Sequence, residues 1–494
     1  MELEKIITLK KSFSMKNSVL LNKIISFLPG TLIPAVFSML SIVIFTRVLT
    51  GKEYGIYSLL LSVLNLAMAV GSQWLQQSIN KYLSVSMDEK TSILYKTVIS
   101  KLCIILSLLV FIITIFVMWN PFSNNWDLLM ILTMGFTLTN MLLFNICMSV
   151  LQAELKSRIF SSYKMINSLI TFATSILLMI LFGNKGIMLI LGLGISQFLT
   201  IPFLWRKCGL LFSGNPFRFK EKQYSILKDF FVYGFPMIGW FISALILNIG
   251  DRYVIEYYNG KQDLGIYSAN YNLIQGSVGL LAAPVMLAAH PFLMKAWGEG
   301  DESATKKWLG SIVNWYFLIG ILIVGAIWLF SGDIANLFLG KEFREGNKIM
   351  SVIVAGFLFW QLGMYSHKPL EFKGKTKLLF LLSFVVAILN IILNVVYVPI
   401  YGYAAAAYTT LFSFVVYFLM TFFKGRKLVK WSIDFKAILI QAIGIIITVL
   451  ILDNVRNTLQ LYLGYGYTLV IYLMFILIVF GYIMLQNTKK YLLK

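Results

Sequence analysis

Charge is scarce in this chain. Only 13% of its 494 residues are charged and 59% are hydrophobic, where an ordinary soluble protein has about a quarter charged and about half apolar. Three cysteines exclude a disulfide framework. Cys103 and Cys147 lie in apolar runs and Cys208 in a basic loop, so no cysteine metal site can be drawn. Two histidines, His290 and His367, are too few for a metal cluster without carboxylate help, and each reads as an interfacial histidine at the inner end of a span. Walker A, zincin, nucleophile-elbow and Gly-rich dinucleotide patterns are all missing. That argues against ATP hydrolysis and against the common enzyme classes, and no cofactor is expected.

Long apolar runs are what the chain has in abundance. Mean hydropathy is +0.81, and a helix crosses the hydrocarbon core in about 20 apolar residues. Fourteen such runs are legible, at roughly 24–46, 54–80, 97–119, 127–150, 159–182, 186–205, 230–249, 265–289, 308–330, 348–366, 377–398, 402–423, 437–452 and 467–486. The first is too long for a signal peptide and more spans follow it. Alternating ten-residue strands are absent, so an outer-membrane barrel is excluded.

The net charge of +21 is a topology signal. With a cytoplasmic N-terminus and fourteen spans, the inside segments hold 33 of the 42 basic residues and the outside segments 9, while the 21 acidic residues divide 12 and 9. The whole excess of positive charge then sits on one side, as orientation by the positive-inside rule requires. Both termini are expected in the cytoplasm, and nucleic acid is not needed to explain the basic balance.

The chain also repeats itself. Gly55-Ile56-Tyr57-Ser58 recurs as Gly265-Ile266-Tyr267-Ser268, each copy opening a span. Glu154-Leu155-Lys156 is echoed by Glu371-Phe372-Lys373, and Gly186 by Gly402, at nearly the same offset. Six spans separate the copies, so the halves share one orientation, as in transporters built from parallel repeats. The expected fold is all-α and polytopic, with about 14 transmembrane helices. It forms two six-helix lobes related by a pseudo-two-fold axis, residues 1–229 and 230–423, plus two C-terminal helices in 424–494. Two facing lobes enclose a cleft suited to alternating access.

Several motifs carry a family resemblance. They are Thr46-Arg47-Val48-Leu49-Thr50-Gly51-Lys52-Glu53-Tyr54-Gly55-Ile56-Tyr57, Tyr233-Gly234-Phe235-Pro236, Gly250-Asp251-Arg252-Tyr253-Val254-Ile255 and Leu264-Gly265-Ile266-Tyr267-Ser268-Ala269. They resemble the O-antigen and exopolysaccharide flippases of Wzx type, within the multidrug/oligosaccharidyl-lipid/polysaccharide exporter superfamily. The resemblance implies a V-shaped pair of lobes in the cytoplasmic membrane. It also implies translocation of undecaprenyl-pyrophosphate-linked oligosaccharide, with polysaccharide polymerase and glycosyltransferases as functional partners.

Such a cargo needs cations for its pyrophosphate and a polar cleft for its sugars. Arg47 and Arg252 are the leading candidates, since each ends a span just before the repeated tetrapeptide and arginine binds phosphate as a fork. Snorkelling at the interface is the competing reading, and Arg252 could instead pair with Asp251. Gln73, Gln77 and Lys81, with Asn80, share one face at the end of span 2. Asn270, Asn272 and Gln275 are their counterparts on span 8. Spans 2 and 8 are therefore the expected cleft walls, though such amides also serve to bind helices to one another. The remaining intramembrane amides, among them Asn167, Asn390 and Asn394, read as structural. Pro29 and Pro34 in span 1 and Pro236 in span 7 are hinge candidates. A cation-coupled multidrug exporter or a lipid II flippase of the same superfamily is the alternative function. A polymerase or acyltransferase is more distant, because the longest outside loops expected, about 250–264 and 331–347, are short.

Overall fold

The computed structural model describes residues 29–83, 88–119, 128–210, 215–436, 438–447 and 449–450, with the isolated position 474. Expected span 14 apart from position 474, the whole stretch before span 1 and residues 24–28 of that span lie outside these residues. The helices are α1 (Pro29–Val48), α2 (Gly51–Gly71), α3 (Gln73–Tyr82), α4 (Glu89–Trp119), α5 (Leu128–Ala153), α6 (Ser157–Phe182) and α7 (Gly186–Cys208). They continue as α8 (Glu221–Gly298), α9 (Glu302–Phe338), α10 (Met350–Ser366), α11 (Lys368–Phe372), α12 (Thr376–Tyr401), α13 (Tyr403–Arg426) and α14 (Ile438–Ile447). Among the described residues, 11 helical stretches are long and apolar enough to cross a membrane. The chain is an all-α, multi-pass membrane protein.

Helix is the only regular answer these segments have in lipid, where every backbone N–H and C=O must be satisfied within the segment. The faces turned outward are apolar: Phe116, Ile180, Phe203 and Ile400 are all exposed large hydrophobics. Buried positions are richer in small and hydroxyl residues, including Ser58, Ser62, Ser196, Ala406 and Ser413. This inversion of the soluble pattern is how helices approach one another where lipid is as apolar as the core.

The structure corrects several boundaries. Expected span 2 is broken at Ser72, whose backbone leaves the helical region at φ −132°, ψ −16°, so α2 and α3 are separate helices. The expected outside loop 250–264 is helical except at Gly260, where φ 84°, ψ 179° breaks α8 into two rods. That backbone geometry is open to glycine and costly for other residues. The other expected loop, 331–347, is the last turns of α9 followed by the 3₁₀ helix Lys341–Ile349. Hydropathy read these stretches as loops because they carry charge, yet short charged helical caps keep their backbone groups paired at the bundle end.

Buried amides on α12 are structural, as the sequence suggests, and bond to one another and to hydroxyls of α13. Asn394 donates to Asn390 Oδ1 (3.1 Å), Asn390 to Ser413 Oγ (3.2 Å), and Thr409 donates to Asn394 Oδ1 (2.6 Å). His367 differs from expectation. It is fully buried, with Nδ1 2.9 Å from Tyr417 Oη and Nε2 2.8 Å from Glu371 Oε1, while Lys368 donates to Glu371 Oε2 (2.6 Å). It joins α10, α11 and α13 rather than facing the interface. The side chain of His290 lies outside the described residues.

Candidate functional site

The two copies of the repeated tetrapeptide touch each other. Ser58 Oγ on α2 donates to Ser268 Oγ on α8 at 2.8 Å. A Cβ placed on Gly55 would come within 2.0 Å of the Lys261 carbonyl oxygen, and one on Gly265 within 1.9 Å of that of Gly51. Glycine at both positions lets the backbones meet, as small residues do at intramembrane interfaces. The repeat thus marks the seam between the first and second halves of the chain.

Arg252 crosses that seam. It is 4% exposed and donates from Nη1 to Ser58 Oγ (3.0 Å) and Ser62 Oγ (3.4 Å) and from Nη2 to Asn272 Oδ1 (2.9 Å). Its guanidinium also lies 5.6 Å from the centroid of the Tyr271 ring. Asp251 does not pair with it; that carboxylate accepts the Tyr267 hydroxyl. Arg47 is exposed and donates to the Leu337 carbonyl (2.8 Å) in the last turn of α9, where a cation complements the helix end. The two arginines therefore do not hold matching places. Arg252 stands thirteen residues before Gly265, and Arg47 eight before Gly55. Five residues of helix set Arg252 roughly 7.5 Å deeper.

Further contacts close the same end of the bundle. Gly51 N–H donates to Glu342 Oε2 (2.8 Å), Gly340 N–H to Thr46 Oγ1 (3.2 Å), and Gly186 N–H to Glu53 Oε2 (2.8 Å). Asn270 is fully buried and donates to the carbonyls of Ile266 and Phe343 (2.8 Å each), pinning the 3₁₀ helix to α8. It belongs to this seal and not to a cleft wall.

Beyond the seal lies a cavity of about 490 Å³ bounded by α1, α2, α6, α7 and the second rod of α8. Hydroxyls of Ser38, Ser41, Tyr57 and Thr171, amides of Asn167, Asn272 and Gln275, and the rings of Phe37 and Phe172 all line it. No lining residue is charged. Tyr54 and Asn272 connect it to Arg252, since Asn272 Nδ2 donates to the Tyr54 hydroxyl (3.4 Å). Such a lining can hydrogen-bond a polyol and stack on its apolar faces, and it carries no carboxylate. No group of acidic, histidine and cysteine side chains suited to a metal ion occurs among the described residues.

The other expected site residues fall elsewhere. α3 turns Trp74, Leu75, Ser78 and Ile79 into the bundle. Trp74 stacks on Phe231 (4.5 Å), and Ser78 donates to the Phe230 carbonyl (2.8 Å). Gln73 and Gln77 lie partly buried on the other face and do not line the cavity, and Lys81 is exposed with Nζ 3.7 Å from the Tyr233 ring centroid. Pro34 is inside α1 and lines the cavity. Pro29 opens the described part of α1. The backbone is helical through Pro236, whose side chain lies outside the described residues.

One wall escaped the sequence reading. Lys164, Ser168, Thr171 and Ser175 follow one another on α6 at spacings of three and four, with Asn167 beside Ser168, which is one helical face. Asn167, Ser168, Thr171 and Ser175 line the cavity. The signal was present, because a lysine inside an apolar span is a functional hint by itself. It was masked by counting Lys164 with the inside charges.

A polytopic bundle with a polar cavity sealed at one end defines a membrane transporter, and the comparisons agree. The fold is that of the multidrug/oligosaccharidyl-lipid/polysaccharide exporter superfamily. The lipid II flippase MurJ, in an inward closed conformation, superposes with a TM-score of 0.72 over 93% of this chain and 100% of its own, at 17% identity. An inward-facing multidrug resistance MATE transporter gives 0.59 over 81% and 97%, at 13% identity. The model of the Polysaccharide biosynthesis protein family matches residues 20–297, and the chain belongs to that family; the MatE model matches 236–396. Capsular polysaccharide biosynthesis protein CapF of Staphylococcus aureus is 30% identical over 204 residues, 40% of this chain and 50% of CapF. A putative O-antigen transporter of Shigella flexneri is 24% identical over 31% of this chain and 36% of its own. The chain thus spans half or less of the length of these curated relatives. Its family is one of membrane transporters and not of enzymes.

Proposed function

We propose that this chain flips undecaprenyl-pyrophosphate-linked oligosaccharide repeat units across the cytoplasmic membrane by alternating access, for surface polysaccharide. Both termini face the cytoplasm, in accord with the 33-to-9 division of basic residues. The lobes are residues 1–229 and 230–423, with 424–494 appended. In that orientation the sealed end, with Ser58, Ser268 and Arg252, is the outer side, and the cargo enters from the inner leaflet. Glycosyltransferases build the cargo before this step and a polymerase uses it afterwards.

The observation that carries this reading is the uncharged cavity of hydroxyls, amides and aromatic rings below a closed seam between the halves. A sugar unit is recognised by such groups, and its hydroxyls are costly to desolvate without them. A multidrug exporter is favoured by the MatE match and the MATE-like fold. Its cationic substrates would need a carboxylate, and the cavity lining has none.

Deleting the gene should remove surface polysaccharide while undecaprenyl-linked oligosaccharide accumulates on the inner leaflet. Normal surface polymer with altered drug efflux would favour the exporter, and accumulation of lipid II alone would favour a lipid II flippase.

A further inference from the structure

The polar face of α6 continues past the cavity. Lys164 lies one turn from Ser168 in the direction away from the sealed end, and Ser168 Oγ donates to the Lys164 carbonyl (2.9 Å). Its own Nζ stands 5.2 Å from the Phe160 ring centroid. The side chain is partly buried inside a spanning helix, and no carboxylate pairs with it among the described residues. Thr171 Oγ1, two turns further along the same face, is buried with no hydrogen-bond partner among the described residues. A partly buried cation at one end of the polar wall and an unused hydroxyl within it therefore share one face.

The two arginines already donate from their Nη groups, and the buried Nε of Arg252 is left over among the described residues. Arg252 spends its Nη groups on Ser58, Ser62 and Asn272, and Arg47 spends its Nη2 on the end of α9. A diphosphate placed among the lining residues would meet no positive charge, and a buried anion without a cation is strongly disfavoured. Lys164 supplies that charge at the mouth of the wall where cargo from the inner leaflet arrives. We infer that Lys164 receives the diphosphate of the lipid carrier, while Asn167, Ser168 and Thr171 face the first sugar attached to it. This rests on the flippase reading and assigns its anion contact to α6 rather than to either arginine.

The test uses the full-length protein in phosphatidylcholine nanodiscs, titrated with undecaprenyl diphosphate and with uncharged undecaprenol. Wild type and Lys164→Arg should prefer the diphosphate, and Lys164→Gln should lose that preference by about tenfold or more, the worth of one charge-assisted hydrogen bond. Thr171→Val should keep the diphosphate preference and bind the glycosylated carrier more weakly. An undiminished preference in Lys164→Gln, with the variant folded by thermal unfolding, would overturn the assignment. So would competition by phosphatidylglycerol as effective as that of undecaprenyl diphosphate, which would make Lys164 a headgroup contact. Wild-type proteoliposomes that fail to translocate the labelled carrier-linked oligosaccharide would instead count against the flippase reading itself.

Discussion

Arg252 and Arg47 predict opposite mutational behaviour. Removing the Arg252 guanidinium leaves Ser58, Ser62 and Asn272 without their donor inside the seam, and hydrogen bonds to a charged group contribute about 1.5–3 kcal/mol each. Arg252→Gln should lower the thermal unfolding temperature of the detergent-purified protein and its membrane abundance. Arg252→Lys should rescue only in part, because an ammonium cannot span three acceptors as the fork does. Arg47 is exposed, so Arg47→Gln should leave both measurements unchanged. Equal behaviour of the two variants would refute the distinction. Glycine is as constrained as Arg252. Gly265→Ala would drive a methyl group to 1.9 Å from the Gly51 carbonyl oxygen, and backbone is a neighbour that cannot yield cheaply. Overpacking of this kind costs about 1–3 kcal/mol or more, which should be visible as reduced abundance on a membrane blot, whereas Gly71→Ala, with open space around it, should be silent.

At the level of elements, α1 is the helix most able to bend where the cavity is. Pro34 removes an N–H from the helical ladder and lines the cavity, while Gly30 packs one turn earlier against Ser161 of α6 with no room for a Cβ. A helix anchored at one residue and missing a rung just after it can pivot above that anchor. Pro34→Ala restores the rung. It should leave abundance and unfolding temperature the same or slightly higher while lowering the rate of cargo translocation in proteoliposomes. Unchanged transport would make Pro34 a static kink. α3 shows the converse. Its break from α2 at Ser72 turns Trp74 and Ser78 onto the first rod of α8, so its polar face serves packing between elements and not the cavity.

For the whole molecule, the repeat, the seam and the charge asymmetry fit a transporter whose outer side is closed. A cytoplasm-only reporter should be active when fused after residue 215 or at the C-terminus and silent after residue 260. The reverse pattern would invert the proposed sides. If the seam must part for cargo to leave, a Ser58→Cys, Ser268→Cys pair should cross-link under mild oxidation, since the native hydroxyls are 2.8 Å apart. Transport should then stop and return with reductant. Full transport by the cross-linked protein would make the seam a fixed pivot. The native cysteines at 103, 147 and 208 are all buried, which keeps this experiment readable.

Much of this was legible in the sequence. Apolar run length sets the spans, because the hydrocarbon core has a fixed thickness and leaves helices as the structure these runs can adopt. The Gly-Ile-Tyr-Ser repeat marked two segments that meet in the structure, and glycine at its head already hinted at a close approach. Buried amides such as Asn390 and Asn394 were rightly read as packing. What the one-dimensional pattern could not carry is which neighbour each polar face meets. Gln73 and Lys81 look like a cleft wall until the turn at Ser72 rotates them away, and Arg252 looks like Arg47 until five residues of register bury it. Lys164 reads as one more inside charge until α6 packs beside α1 and puts its face-mates Asn167, Ser168 and Thr171 on the cavity. Hydropathy is a local sum over one chain segment, whereas the cavity is assembled from five helices far apart in sequence, so only the tertiary structure could decide which polar residues face one another across it.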